Sequence, residues 1–178
     1  MAYALHIFEE VRILDKSWRS AIEFHGHECK GLAWGYKVAT FAMEKLGIDR
    51  SSDEELVAIV ENDSCAVDAI QVVTGCTFGK GNLIFKDYGK HAYTFYNRNT
   101  GKGIRISRKK GVEVDDIMSA NSDDIFEVSE PKEKIPKRAR IHKSIECAKC
   151  EESAMETRIH IFKGQFLCCP CYEEAVLE

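Results

Sequence analysis

Apolar residues in the first part of the chain recur at helical spacing. Leu5, Phe8, Val11, Leu14, Trp18 and Ile22 fall on one stripe, with Glu9, Glu10, Arg12, Lys16 and Arg19 between them. This predicts an amphipathic helix over residues 5–24, ending at His25-Gly26. A second helix is expected over 32–46, stopped by Gly47, and its small residues Ala33, Gly35, Ala39 and Ala42 invite close approach of another backbone. Glycine inside a helix costs about 1 kcal/mol relative to alanine, so Gly35 signals a packing or ligand requirement. The periodicity then changes. Leu56-Val57-Ala58-Ile59-Val60 is unbroken and apolar, as in a buried strand. Glu61-Asn62-Asp63-Ser64-Cys65 leads into a third helix over 66–73, capped by Asp63 or Ser64 and closed at Thr74-Gly75. After the glycine-rich stretch 76–82, residues 83–85, 91–96 and 103–107 read as strands joined by turns rich in Gly, Asn and Asp. A short helix over 115–120 and a strand over 125–128 complete the expected α+β core, residues 1–130.

Two of the chain's three prolines, Pro131 and Pro136, then sit in a basic cluster. Residues 131–143 are expected to form a basic, solvated linker, with a nucleic-acid-binding arm as the alternative.

The remainder, 144–178, is organised by cysteine. Cys147-Ala148-Lys149-Cys150 and Cys168-Cys169-Pro170-Cys171 provide two Cys-x-x-Cys pairs separated by 17 residues. Each pair turns two sulfurs toward one point, and four thiolates complete the tetrahedron that zinc accepts. Cys147, Cys150, Cys168 and Cys171 are the expected ligands; Cys169 in place of Cys168 would leave a single residue between the sulfurs. Between the pairs, 157–162 and 165–167 read as strands around a Lys163-Gly164 turn, and 172–177 is helix-prone. Knuckle, hairpin and helix in this order describe a C-terminal treble-clef zinc finger. A closed four-sulfur site leaves no position for substrate, so it is structural and any chemistry lies upstream. A module this small cannot bury enough apolar surface alone, so the metal supplies much of its stability.

Composition narrows the setting. At 178 residues, 44% hydrophobic and 30% charged, the chain can form a packed core. A net charge of −4 argues against a protein that wraps nucleic acid throughout its length. Eight cysteines with no secretory signal at the start imply a reducing, cytoplasmic compartment, and no apolar run is long enough to span a membrane.

Three features of the core exceed what packing requires. In His25-x-His27-x-Cys29, alternate side chains converge if the bend is extended, and imidazole with thiolate suits zinc, nickel, copper or iron; a helix-end histidine beside a buried cysteine is the plainer reading. Cys65 stands at the N-terminus of the third helix, where amides and dipole favour thiolate, although free cysteines are commonly buried and inert. The stretch 75–82 could turn amides toward an anion, with Lys80 adding charge, or could simply be a tight turn; it lacks the Gly-Lys-Ser/Thr ending of a P-loop.

Three blocks, His25-Gly26-His27-Glu28-Cys29-Lys30-Gly31-Leu32-Ala33-Trp34-Gly35, Asn62-Asp63-Ser64-Cys65-Ala66-Val67-Asp68-Ala69-Ile70-Gln71 and Thr74-Gly75-Cys76-Thr77-Phe78-Gly79-Lys80-Gly81-Asn82-Leu83, together with the closing cysteines, resemble the E-subunit family of molybdenum and tungsten formylmethanofuran dehydrogenase. The resemblance covers nearly the whole chain. It implies an α+β core, a homodimer and a C-terminal treble clef. It also implies kinship with an enzyme that joins CO2 to methanofuran as a formyl group, whose pterin and iron–sulfur clusters belong to its other polypeptides. Lys30 departs from the proline that many relatives carry after the cysteine. Carried across residue by residue, the resemblance implies a catalytic set of His27, Cys29 and Cys65, with His25 and Cys76 in second rank. Two functions are thus expected. One is a metal or thiol site in the core, holding a second transition metal and serving one-carbon or molybdopterin-linked redox metabolism, with an oxidoreductase component or accessory as the enzyme class. The other is a non-catalytic accessory protein that joins a larger dehydrogenase complex, or whose finger docks a protein or nucleic acid.

Overall fold

A computed structural model describes residues 16–177 and divides the chain into two compact units, Met1–Ala139 and Arg140–Glu178. The expected first helix is seen as helical residues 16–25 (α1); its earlier part lies outside the described residues. In the first unit follow α2 (Lys30–Leu46), β1 (Leu56–Val60), α3 (Ala66–Thr74), β2 (Leu83–Phe85), β3 (Ala92–Asn97), β4 (Gly103–Arg108), the single turn α4 (Ser122–Ile125) and β5 (Phe126–Ser129).

The sheet order is β2-β1-β3-β4-β5. β1 and β2 are parallel, Ala58 opposite Leu83, and α3 forms the crossover between them. The other pairings are antiparallel, with Val60 opposite Tyr93 and Tyr93 opposite Ile106. The unbroken apolar run of β1 is explained by burial on both faces. Leu56, Ala58 and Val60 join the main core with Leu32, Val38, Phe41 and Ile70 from the helices, while Val57 and Ile59 pack with Tyr96 and Ile135 on the opposite face. Fully buried side chains such as Leu32, Leu56, Ile70 and Phe95 each stabilise the fold by about 1.5–3 kcal/mol relative to exposure.

Residues 115–120 are turns rather than a helix. The Asp116 carboxylate accepts from the Met118 and Ser119 amides, and the helical turn begins later, where Asn121 accepts from the Asp123 amide. The expected linker divides. Its first part lies on the first unit: Tyr96 donates to the Glu133 carbonyl, Lys86 pairs with Glu133, and Arg98 donates to the carbonyls of Pro136 and Lys137.

The second unit contains two hairpins and a helix: β6 (Ser144–Glu146) with β7 (Ser153–Met155), a 3-10 turn (Glu156–Arg158), β8 (Ile159–Phe162) with β9 (Gln165–Cys168), and α5 (Cys169–Leu177). The chain is therefore an α+β core with a C-terminal zinc-finger module. Among the described residues, no helix is long and apolar enough to cross a membrane.

Candidate metal centres

Glycine sets the distance between α2 and α3. A Cβ added at Gly35 would lie 2.1 Å from the Ala66 carbonyl oxygen, and one added at Gly31 would lie 3.0 Å from Cys65 Cβ and 3.4 Å from its sulfur. The two helices can thus approach backbone to backbone only because positions 31 and 35 lack side chains. This approach brings together the N-terminus of α2, capped by Cys29, and that of α3, where Cys65 is the N-cap.

His25, at the end of α1, completes the group. One ligand atom from each of His25, Cys29 and Cys65 lies within 4.8 Å of the others. His25 Nε2 is 3.7 Å from Cys29 Sγ, and His25 Nδ1 is 2.7 Å from Asp68 Oδ2. A carboxylate accepts from Nδ1–H, so in the neutral ring Nε2 keeps the lone pair a metal needs, whereas in the imidazolium Nε2–H points at the Cys29 sulfur. The neutral form is the arrangement in which a carboxylate orients a metal-binding imidazole. The Asp68 hydrogen bond raises the His25 pKa against the opposing effect of burial. At Cys29 burial opposes ionisation, but the Leu32 amide at 3.3 Å, the Cys65 thiol and His25 outweigh it, so the thiol lies below its ordinary pKa. Cys65 is pushed up, first by burial and then by the neighbouring Cys29. Only one of the two sulfurs readily takes the charge by itself; a divalent cation would let both ionise.

The expected catalytic set is therefore only partly brought together. Cys29 and Cys65 meet, but His27 does not join them. The chain reverses at Gly26, with φ of +92°, so alternation fails there. His27 is exposed, its ring 4.7 Å from that of His25, and His25 occupies the place expected for it. Cys76 also stands apart. It is buried, donates to the Leu56 carbonyl at 3.3 Å, and burial pushes its thiol up to about 11. The glycine-rich stretch is an internally bonded turn: Asn82 accepts from the Thr77 amide, Thr77 from the Lys80 amide, and Lys80 Nζ is held by the Ser52 and Asp53 carbonyls. Asp63 does not cap α3; Asn62, buried and donating to the Lys90 carbonyl, instead accepts from the amide and hydroxyl of Ser64. A cavity of about 430 Å³ opens beside His25, Cys65 and Asp68, at the carboxyl ends of the parallel strands β1 and β2. Such a crevice is a common ligand position in sheets with parallel strands.

In the second unit the sulfurs of Cys147, Cys150, Cys168 and Cys171 lie within 4.8 Å of one another. Zn–S bonds of about 2.3 Å make a tetrahedron with edges of about 3.8 Å, and Cys150 Sγ and Cys168 Sγ are 3.8 Å apart. None of the eight cysteines is in a disulfide. The Cys150 and Cys168 amides draw the Cys147 thiol down to about 6, while Cys168, followed by burial, pushes Cys171 up to about 12. Four adjacent sulfurs cannot all ionise unaided, and a central cation removes that conflict. The cluster is thus compatible with structural zinc. Cys169 points elsewhere, its sulfur 3.6 Å from His160 Nε2.

Residues 24–156 match the family described as FmdE, Molybdenum formylmethanofuran dehydrogenase operon. A protein of Archaeoglobus fulgidus, named as a probable S-adenosyl-L-methionine-binding protein, is 34% identical across 85% of this chain. The chain spans about half, 53%, of that relative's length. The crystal structure of a tungsten formylmethanofuran dehydrogenase FmdE-like protein from Syntrophus aciditrophicus superposes with a TM-score of 0.68 at 23% identity, covering 91% of this chain and 93% of that one. That likeness shows a shared fold.

Proposed function

The chain belongs to the FmdE family, and from that premise we propose that it is a two-metal protein whose core site is chemically active and whose finger site is structural. The observation that carries the reading is the convergence of His25, Cys29 and Cys65 from three separate elements, with Asp68 orienting the imidazole. Three soft donors fit a catalytic zinc or a similar transition ion, whereas four fill a structural site. A cation held there supplies a Lewis-acidic open position for a water or carbonyl oxygen. The chain's own contribution is to hold it. Cys29 and Cys65 provide negative charge at two helix N-termini, His25 Nε2 provides the third donor, and Asp68 keeps the proton on the far nitrogen. The adjoining cavity supplies room for a substrate. Family membership supports a role beside one-carbon redox chemistry, as a component or partner of an oxidoreductase. In the finger, Cys147, Cys150, Cys168 and Cys171 hold zinc and fix the hairpins to α5.

Metal analysis of the full chain tests this reading. Two metal ions per chain are expected for the native protein, one for the Cys29→Ser/Cys65→Ser variant, and one for the Cys147→Ser/Cys150→Ser variant. One ion in the native protein, unchanged by the core substitutions, would overturn the core assignment.

A further inference from the structure

The face of the sheet away from the main core carries a second cavity, of about 240 Å³. Ile59, Thr94 and Arg105 stand opposite one another on β1, β3 and β4, so they form one row across that face. Around the row, walls come from the segment after β2 and from residues 132–133. Four basic side chains, Lys86, Lys90, Arg105 and Lys132, meet two carboxylates there, Glu61 and Glu133. Both carboxylates are already engaged. Arg105 donates from Nε and Nη2 to the two oxygens of Glu61, at 2.9 and 3.0 Å, and Glu133 pairs with Lys86. Lys90 and Lys132 have no carboxylate partner among the described residues, so the cavity keeps a surplus of positive charge. Thr94 is an independent sign of a ligand. It is only 6% exposed, it lines the cavity, and its hydroxyl has no hydrogen-bond partner among the described residues. A buried hydroxyl left unpaired carries a desolvation cost, which a partner entering the cavity would remove.

We infer that this cavity binds a phosphate monoester as its dianion, with the phosphate oxygens among Lys90, Lys132 and the Thr94 hydroxyl and the organic body against Tyr88. That ring lines the cavity, stays 56% exposed, and has the Lys86 and Lys90 ammonium groups 6.0 and 5.8 Å from its centre. Other ligand classes fit less of the wall. A carboxylate is best held by a free guanidinium fork, and the Arg105 fork is spent on Glu61. What remains are ammonium point charges and one hydroxyl, which suit oxygens spread over a tetrahedron. A cation would meet two unpaired lysines. A neutral apolar group would strip water from them without compensation. A nucleic-acid backbone offers monoanionic diesters and needs a continuous basic surface, whereas this chain has a net charge of −4. The inference stands apart from the metal-centre reading, since none of His25, Cys29 and Cys65 lines this cavity.

The test is calorimetric titration of the full-length protein with phenyl phosphate, inorganic phosphate, dimethyl phosphate and malonate, at a pH of about 8 where the monoester is a dianion. Phenyl phosphate is expected to bind several-fold more tightly than inorganic phosphate, and at least tenfold more tightly than the monoanionic diester or the dicarboxylate. Thr94→Val, which keeps the β-branched shape, and Lys132→Ala, at an exposed position, should each weaken phenyl phosphate at least fivefold without moving the urea midpoint. Lys137→Ala makes the same charge change outside the cavity and should leave binding as it is. The Cys29→Ser/Cys65→Ser variant should bind as the native protein does. No saturable binding, dimethyl phosphate or malonate bound as tightly as phenyl phosphate, or an affinity unchanged in Thr94→Val or in Lys132→Ala would each overturn the site. Binding lost in the cysteine variant would place the anion on the metal centre and overturn it as well. Inorganic phosphate bound as tightly as phenyl phosphate would overturn the ester assignment.

Discussion

Replacing Gly35 with alanine sets two effects of opposite sign against each other. On an isolated helix the change stabilises by about 1 kcal/mol, because alanine is the better helix former. Here the new methyl would sit 2.1 Å from the Ala66 carbonyl oxygen, 2.5 Å from its Cα and 2.6 Å from its carbonyl carbon. All three are backbone atoms, so no rotamer change can relieve the clash. Ordinary contact requires α2 and α3 to separate by roughly 1 Å, and overpacking of this kind costs about 3 kcal/mol. The net expectation is a loss of about 2 kcal/mol. Urea unfolding followed by tryptophan fluorescence reports this directly, since both tryptophans, Trp18 and Trp34, lie in the first unit. With a urea m-value of about 2 kcal/mol/M, the midpoint should fall by about 1 M. The same separation pulls Cys29 from Cys65, so the variant should also lose its core metal while keeping the one in the finger. If Gly35→Ala is as stable as the native protein, or more so, with core metal retained, then the close crossing does not set the site and the reasoning fails.

Three further outcomes follow from the same geometry. Asp68→Asn removes the carboxylate that orients His25 and should lower core metal affinity about 10- to 100-fold in a chelator competition, leaving finger affinity unchanged. Glu55 is held down to about 2 by the Ser51 hydroxyl and by backbone amides, below its ordinary value of 4.5; the ionised form therefore favours the fold above pH 4.5, and that contribution disappears as the pH falls toward about 2. Urea midpoints of the native protein and Glu55→Gln should accordingly differ above that window and converge at its acid end. Strong chelation should unfold the second unit, abolishing the ring-current shifts that arise where His160 stacks on Tyr172 at 4.2 Å, while core tryptophan emission stays native; an unchanged His160 resonance after complete metal removal would contradict this.

The parts of the fold that are legible in the sequence depend on local pattern. The finger's four clustered cysteines lie in short pairs, so spacing alone groups them. The five apolar residues of β1 declare burial on both faces, and Gly35 announces a close approach without saying to what. The core site is half legible because its geometry is not local. Cys29 and Cys65 can each be assigned to a helix N-terminus, but choosing between His25 and His27 requires knowing whether the bend is extended. Gly26, at φ of +92°, makes it a reversal and turns His27 outward. Asp68 stands out in the sequence only as a nearby acid. Its hydrogen bond to His25 spans 43 residues and exists because Gly31 and Gly35 bring α3 against α2. The turns at 115–120 resemble a helix in pattern because Asp116 is compatible with a helix start, yet its carboxylate engages the next amides in place of helical bonding.

The contrast between the two clusters leads to different consequences of metal loss. In the finger all four donors come from a 25-residue span, Cys147 to Cys171, and Leu167 is the one buried side chain of its core cluster besides the cysteines, among the described residues. A metal held there would substitute for a hydrophobic core, so its removal should remove the fold. In the first unit the donors come from α1, α2 and α3, and these elements are already fixed by Leu32, Val38, Phe41, Ile70 and the buried face of β1. The three ligands are pre-arranged by packing, with Asp68 setting the imidazole in advance. Metal loss at that site should leave the core folded, and reloading should restore it without refolding. A stable scaffold that holds three donors at the edge of an open cavity is what reversible, exchangeable coordination requires, and it is the reason to look for chemistry in the core rather than in the finger.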